Sequence, residues 1–178
     1  MSVYTTLTLT EVQDFSSPYG LEVIDLIPIQ GGIQNTNYFL VTKDGSQFVL
    51  TVFEEMDEHG AGELVPVLEH LGKAGLAVPV PLNHSGKSIH SLKNKPAQIA
   101  PRMMGEHPMP STIEQVKQIA IAQAKMHVAL KDFPLERAEY RDQAYWAKVT
   151  QELKPNLDVA DKILLGELLG LYEALTAA

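Results

Sequence analysis

The sequence contains no cysteine, no cluster of lysine and arginine, and no uninterrupted apolar run of 18 residues. Without cysteine, a disulfide framework and a thiolate metal site are both excluded. Without a long apolar run, no membrane-spanning helix is expected. Residues 1–5, MSVYT, also lack the basic start of a secretory signal peptide. We therefore expect a cytoplasmic protein with no membrane partner.

Positive charge is scarce, with 14 lysines and arginines against 22 aspartates and glutamates and a formal net charge of −8. A uniformly acidic surface repels nucleic acid, so no nucleic-acid partner is predicted. The six histidines show no H-E-x-x-H or other ligand spacing, so no metal site is predicted in this sequence. An anionic ligand would have to be held by local groups.

The remaining composition is that of a globular protein, 45% hydrophobic and 20% charged, and its pattern changes after residue 103. Before that point, apolar runs bounded by turn residues predict five antiparallel strands, the second and third joined through Asp44-Gly45. Capping boxes predict helix starts at residues 8–11 and 111–114. The other predicted elements are a connection at 54–62, a helix at 63–73, strands at 88–92 and 96–103, and helices reaching 130, 153 and 175. The strand at 96–103 is mostly apolar, which predicts an interior place in the sheet, and Asp158 is the predicted cap of the last helix.

Two glycines, Gly31 and Gly32, lie at the bend between the first two strands and precede several small polar residues. Glycine leaves the backbone N–H groups of such a bend free to fold over phosphate oxygens. The stretch matches neither G-x-x-x-x-G-K-[ST] nor G-x-G-x-x-G before a helix. An ordinary turn or bulge has the same pattern and is the commoner structure for such a bend taken alone, so the phosphate-binding interpretation depends on the rest of the sequence.

Several segments together resemble the homoserine kinases of the aminoglycoside phosphotransferase and choline kinase superfamily. They are MSVYT (1–5), GIQNTNYF (32–39), FVLT (48–51), GLAVPVP (75–81) and AKMH (124–127). The resemblance implies an α+β, protein-kinase-like fold, with a small antiparallel five-stranded N-lobe and one packed helix followed by the start of a helical C-lobe. We expect a nucleotide-binding N-lobe at 1–103, a hinge at 104–110 and a helical part of the C-lobe at 111–178.

The resemblance also implies transfer of the γ-phosphoryl group of ATP to the hydroxyl of L-homoserine, in threonine biosynthesis, with Mg²⁺ as cofactor. ATP and L-homoserine would be the partners. The residues implied for the phosphates are Gly31, Gly32, Gln34, Asn35, Thr36 and Asn37. The residues implied for the adenine pocket are Val49, Thr51, Ile99, Pro101, Arg102 and Met103.

Two departures from the family's pattern limit what this sequence is expected to do. The third strand carries Thr51 about where related kinases place a phosphate-binding lysine. No His-x-Asp motif for a catalytic base occurs, and Asp132-Phe133-Pro134, the nearest match to a metal-binding motif, directly follows the first long helix. We therefore predict no catalytic or metal-binding residue in this chain, an N-terminal half that is inactive alone, and Mg²⁺ ligands beyond Ala178.

Two alternatives remain open from the sequence. The first is a related kinase that acts on choline, an aminoglycoside or a sugar. The second is a nucleotide-binding module without catalytic activity.

Overall fold

The computed structural model describes residues 4–30, 34–105, 109–134 and 143–176. The chain divides into two compact units, Met1–Leu135 and Glu136–Ala178. The first unit contains the sheet and four helices among its described residues, and the second contains two helices.

An antiparallel five-stranded sheet forms the centre of the first unit, with the strand order β1-β2-β3-β5-β4. The predicted sheet is therefore confirmed, and β5 lies in its interior as its apolar sequence indicated. The strands are β1 (Val23–Pro28), β2 (Asn35–Thr42), β3 (Gln47–Phe53), β4 (His90–Leu92) and β5 (Lys95–Pro101).

Two tight turns fix the pairing of these strands. Between β2 and β3, the Asp44 carboxylate accepts hydrogen bonds from the Ser46 N–H and the Thr42 hydroxyl, at 3.0 and 2.6 Å. Gly45 follows with a φ of 84°, a left-handed conformation that glycine adopts without strain. Between β4 and β5, Lys93 and Asn94 take positive φ values of 51° and 62°.

One face of the sheet carries the hydrophobic core because alternate residues of each strand point to the same side. Helix α1 (Leu9–Ser16) packs on this face and contributes the fully buried Val12. Its predicted capping box is confirmed, since Thr8 accepts from the Glu11 N–H and Glu11 accepts from the Thr8 N–H. The buried cluster consists of Leu7, Val12, Val23, Tyr38, Leu40, Leu50, Val52, Leu92, Ala97 and Ile99.

The connection predicted at 54–62 contains a short helix, α2 (Glu58–Gly62), that the sequence analysis did not predict. The Asp57 carboxylate caps it by accepting from the Gly60 N–H at 2.8 Å. Helix α3 (Val65–Lys73) follows, with Pro66 in its first turn, where the missing N–H costs nothing.

Helix α4 (Ile113–Leu130) begins one residue later than its predicted capping box implied. Thr112 and Gln115, rather than Ser111 and Glu114, form the reciprocal hydrogen bonds. The physical reason is that Thr112 is the last residue with extended backbone, at φ −78° and ψ 160°, as an N-cap requires.

The second unit contains α5 (Gln143–Leu153), a 3-10 turn at Lys154–Asn156, and α6 (Val159–Thr176). The predicted cap of α6 is confirmed, because Asp158 Oδ1 accepts from the Asp161 N–H at 2.9 Å. The apolar side chains of α6 that remain exposed are Val159, Ile163, Leu164, Leu168 and Leu171. Among the helices described, none combines the length and the apolar character needed to cross a bilayer.

Candidate functional site

The face of the sheet opposite the core carries two cross-strand rows of different chemistry. Strand register pairs Asn37 with Thr51 and Thr51 with Gln98, which makes a row of polar side chains over β2, β3 and β5. Two residues further along the strands, register pairs Phe39 with Val49 and Val49 with Ala100, which makes an apolar row. Directly opposed residues share a face and lie close together, so each row is continuous.

The polar row lies toward the start of β2, which follows Gly31 and Gly32 in the sequence. The Thr51 hydroxyl donates to Asn37 Oδ1 at 2.8 Å, and the Asn37 amide nitrogen donates to the Asn35 carbonyl at 3.4 Å. Asn37 therefore has a fixed orientation in this row. Short donors and acceptors held beside a glycine-containing bend are suited to a ligand with several oxygen atoms.

The apolar row ends at a cation. The guanidinium of Arg102 lies 3.9 Å from the ring centroid of Phe39, in cation–π geometry. Its Nη1 atom donates to Gln47 Oε1 at 2.6 Å, and the Arg102 N–H donates to the Gln47 carbonyl at 3.0 Å. The backbone pairing thus continues one residue beyond β5, and the side chain of Arg102 closes this end of the apolar row.

The predicted phosphate-binding residues occupy different environments. Gly31 and Gly32 lie outside the described residues. Gln34 is exposed, while Asn35 and Asn37 are partly buried. Thr36 has no exposed surface, because it points to the core face of β2. Its hydroxyl is therefore engaged inside the protein rather than turned toward a ligand.

The predicted adenine residues also divide between the two faces. Val49 and Thr51 lie in the two rows, and Pro101 and Met103 are exposed at the end of β5. Ile99, in contrast, pairs with Leu50 and is fully buried in the hydrophobic core. The register places Ala100 beside Val49 instead, because successive strand residues point to opposite faces.

A buried carboxylate, Glu54, lies directly after β3 on the core side. Burial by itself would raise the pKa of Glu54, but hydrogen bonds from Lys95, Thr36 and Thr5 outweigh burial and hold the pKa below its ordinary value of 4.5. The Lys95 ammonium also forms an ion pair with this carboxylate. Glu54 is therefore charged at neutral pH.

A metal site is not formed by the described part of the chain. Within residues 4–30, 34–105, 109–134 and 143–176, no three histidine, aspartate or glutamate side chains are placed to hold an ion.

The sequence analysis missed Phe39, Gln98 and Ala100 as members of the two rows. A signal for Gln98 and Ala100 was present, since the alternation Ala97-Gln98-Ile99-Ala100 places residues 97 and 99 together on one face. Phe39 follows from the register across the Asp44-Gly45 turn.

Comparison with known proteins agrees with the fold. The sequence is 33% identical over 172 residues to a homoserine kinase of Cupriavidus metallidurans. The aligned region covers 94% of this chain and 52% of the relative. It is 37% identical over 167 residues to a homoserine kinase of Neisseria meningitidis serogroup B, covering 93% of this chain and 54% of the relative. The chain thus spans about half the length of the curated relatives it matches.

A solved structure shares the fold at low identity. An amicoumacin kinase in complex with AMP-PNP and Ca²⁺ matches with a TM-score of 0.69 and 13% identity, covering 97% of this chain and 55% of that one. The phosphotransferase enzyme family matches residues 25–178. With its antiparallel sheet, its following helices and this match over most of its length, the chain belongs to the phosphotransferase enzyme family.

Proposed function

We propose that this chain is the nucleotide-holding half of an ATP-dependent kinase that phosphorylates the hydroxyl of L-homoserine. The observation that carries the proposal is the order of the two rows on one face of the sheet. The polar row lies toward the start of β2, which follows Gly31 and Gly32 in the sequence, and the apolar row lies beyond it toward Arg102. A nucleotide has the same order, with polar phosphates at one end and a flat base at the other.

In this proposal, the phosphates lie at the bend. Backbone N–H groups of Gly31 and Gly32 contact phosphate oxygens, with Gln34, Asn35 and Asn37 as further donors. Thr36 contributes through its backbone position only, since its side chain is buried.

The base lies over the apolar row. Val49 and Phe39 form its apolar surface, and the backbone at residues 101–103 supplies hydrogen-bonding groups at its edge. Thr51 is a spacer between base and phosphates in this arrangement, because its hydroxyl is already bonded to Asn37.

The neutralisation of phosphate charge is assigned to the half of the kinase that this chain does not contain. The polar row carries no charged side chain, and no metal site forms among the described residues. Phosphoryl transfer depends on positioning the two substrates and on neutralising the developing charge. In this proposal the described residues supply the first and not the second, so we expect no catalysis by the chain alone.

L-Homoserine is proposed as the acceptor because the curated relatives, at 33% and 37% identity, are homoserine kinases. The antibiotic kinase of similar structure is only 13% identical and supports the fold alone. Choline, aminoglycosides and sugars are the alternative acceptors to be compared in the assay.

Nucleotide binding is the direct test. We expect titration with a non-hydrolysable ATP analogue to give a saturable heat signal for the wild-type chain and none for Val49→Glu, which places a carboxylate in the apolar row. Ile24→Glu is the matched control, because Ile24 is 55% exposed on the edge strand β1. Absence of binding by the wild type at millimolar analogue, or equal binding by Val49→Glu, would overturn the site.

Catalysis is tested separately. A coupled assay of the chain with ATP, Mg²⁺ and L-homoserine should give turnover far below the 1–100 s⁻¹ typical of kinases. The chain fused to the second half of the Cupriavidus metallidurans homoserine kinase should phosphorylate L-homoserine in preference to choline. Binding without any turnover in the fusion would favour the module without catalytic activity.

A further inference from the structure

Glu54 accepts hydrogen bonds from three different parts of the first unit. Its Oε1 atom accepts from the Thr36 hydroxyl at 2.5 Å, and its Oε2 atom accepts from the Thr5 hydroxyl at 3.1 Å and from the Lys95 ammonium. Its side chain is only 8% exposed. The carboxylate therefore joins the N-terminal segment, the start of β2 and the start of β5.

Two residues of β2, Thr36 and Tyr38, hold the N-terminal segment (residues 4–7). The N–H groups of Tyr4 and Thr5 both donate to Thr36 Oγ1, at 2.9 and 3.1 Å. The Tyr38 hydroxyl donates to the Thr5 carbonyl at 3.0 Å and accepts from the Leu7 N–H at 3.2 Å. With its donation to Glu54, the Thr36 hydroxyl uses its one donor and both acceptor positions.

These contacts act on the strand that carries the polar row. Thr36 and Tyr38 point to the core face, and Asn37 between them points to the opposite face. Glu54 consequently touches none of the residues of the polar row. Its effect on that row passes through the backbone at the start of β2.

We propose that Glu54 is a positioning residue that fixes the first residues of β2 through its direct hydrogen bond from Thr36, and with them the donors that face the phosphates. The proposal rests on the nucleotide site described above. Replacing the carboxylate by an amide leaves the Lys95 ammonium without its ion-pair partner and takes away one of the two oxygens that accept from the Thr5 and Thr36 hydroxyls, so the anchor at the start of β2 is weakened.

A merely structural ion pair would behave differently, and the protein contains one for comparison. Lys93 donates to the Thr6 carbonyl at 2.8 Å and pairs with Glu11 at 2.9 Å, so it also holds the N-terminal segment. Neither of these contacts involves β2. Lys93→Met is therefore the matched control for Glu54→Gln.

Amide hydrogen exchange and nucleotide titration test the proposal together. For Glu54→Gln, we expect exchange of residues 35–38 to become about tenfold faster and affinity for the ATP analogue to fall about tenfold, as for the loss of one charged hydrogen bond. Lys93→Met should change neither quantity. The double variant Glu54→Gln/Lys95→Met, which removes the unpaired ammonium, should regain unfolding stability without regaining affinity.

Each outcome decides a separate question. Equal exchange of residues 35–38 in Glu54→Gln and Lys93→Met would overturn the positioning role, whether or not a nucleotide binds. Unchanged affinity in Glu54→Gln, where the wild type binds, would also overturn it. Faster exchange in Glu54→Gln, with no binding by the wild type, would uphold the anchor and reject the nucleotide site.

Discussion

The hydroxyl of Thr51 donates a hydrogen bond to Oδ1 of Asn37 across strands β2 and β3, with the two oxygens 2.8 Å apart. Thr51 occupies the place where the resemblance to other kinases led us to look for a lysine. At this position the protein has a neutral group that orients a neighbour instead of a cation. The polar row is therefore ordered by hydrogen bonds within the sheet.

The Thr51–Asn37 pair should be energetically coupled. Thr51→Val and Asn37→Ala each remove one partner of a partly buried hydrogen bond, which typically contributes about 1 kcal/mol. In a double-mutant cycle measured by urea denaturation, we expect a coupling energy of about 1 kcal/mol between the two positions. Additive losses of unfolding free energy would show that the hydrogen bond contributes nothing.

A close approach between α3 and the segment that follows it depends on a glycine. A Cβ atom added at Gly72 would lie 2.7 Å from Cγ2 of Val80. We expect Gly72→Ala to lower the free energy of unfolding by about 1–3 kcal/mol through overpacking. The double variant Gly72→Ala/Val80→Ala removes the obstructing methyl groups and should recover part of that loss.

The glycine effect has its own control in the second unit. A Cβ atom at Gly166 in α6 would meet nothing within 4 Å. Gly166→Ala should therefore show only the gain in helix propensity, about 1 kcal/mol at most, as increased helical circular dichroism. If Gly72→Ala lost no unfolding free energy and behaved like Gly166→Ala, close packing between Gly72 and Val80 would be contradicted.

The contact between α3 and the end of α4 should depend on a histidine. His70 Nε2 lies 2.8 Å from the Ala129 carbonyl, and its ring lies 4.7 Å from that of Phe133. His70→Phe keeps an aromatic ring beside Phe133 but loses the hydrogen bond. We expect faster amide exchange in the last turn of α4 in His70→Phe, and a further increase in His70→Ala. Unchanged exchange in both variants would rule out this contact as the attachment of α4.

Local signals in the sequence were sufficient for much of the fold. The Asp44-Gly45 turn and the Thr8–Glu11 capping box involve groups at most three residues apart, so their hydrogen bonds depend little on the rest of the chain. The apolar content of residues 96–103 was likewise enough to place β5 in the interior of the sheet. These predictions are confirmed because local preference and tertiary contact favour the same structure.

The side chains of the site required the register of the whole sheet. Ile99 and Ala100 are both apolar, and only the pairing with β3 decides which of them lies beside Val49. Thr36 looked like a phosphate ligand from its position near Gly31 and Gly32, but contacts with a segment more than 30 residues away bury it. Long-range contacts of this kind leave no local pattern.

Acid pH should weaken the protein through Glu54. Because the folded-state pKa lies below the ordinary value of 4.5, ionised Glu54 contributes stability at pH values above 4.5. That contribution is lost as pH falls from 4.5 through the folded-state pKa. In urea denaturation at several pH values, Glu54→Gln should be less stable than the wild type at pH 7 and should show a shallower decline below pH 4.5. Parallel pH profiles of the two proteins would contradict this.

Glu11 provides an exposed comparison for the acid effect. A hydrogen bond from the Thr8 N–H, followed by contacts with Lys93 and the Thr8 hydroxyl, lowers the pKa of Glu11 to about 2. Its stabilising effect is present above pH 4.5 and is lost as pH falls toward 2. Salt screens exposed charges more strongly than buried ones. High salt should therefore reduce the acid effect of Glu11→Gln more than that of Glu54→Gln.

Arg102 combines two interactions that a lysine cannot make together. Its planar guanidinium stacks on Phe39 and at the same time donates to Gln47 Oε1 at 2.6 Å. Arg102→Lys should lower the free energy of unfolding by about 0.5–1 kcal/mol, the range for an exposed cation–π contact.

Because Arg102 closes the end of the apolar row, Arg102→Lys should also weaken binding of the ATP analogue several-fold. Phe39→Leu removes the ring and keeps the apolar surface, so Arg102→Lys in that background should cause little further loss of stability. A full additional loss there would show that Arg102 acts through Gln47 alone, and unchanged nucleotide affinity would place the base elsewhere.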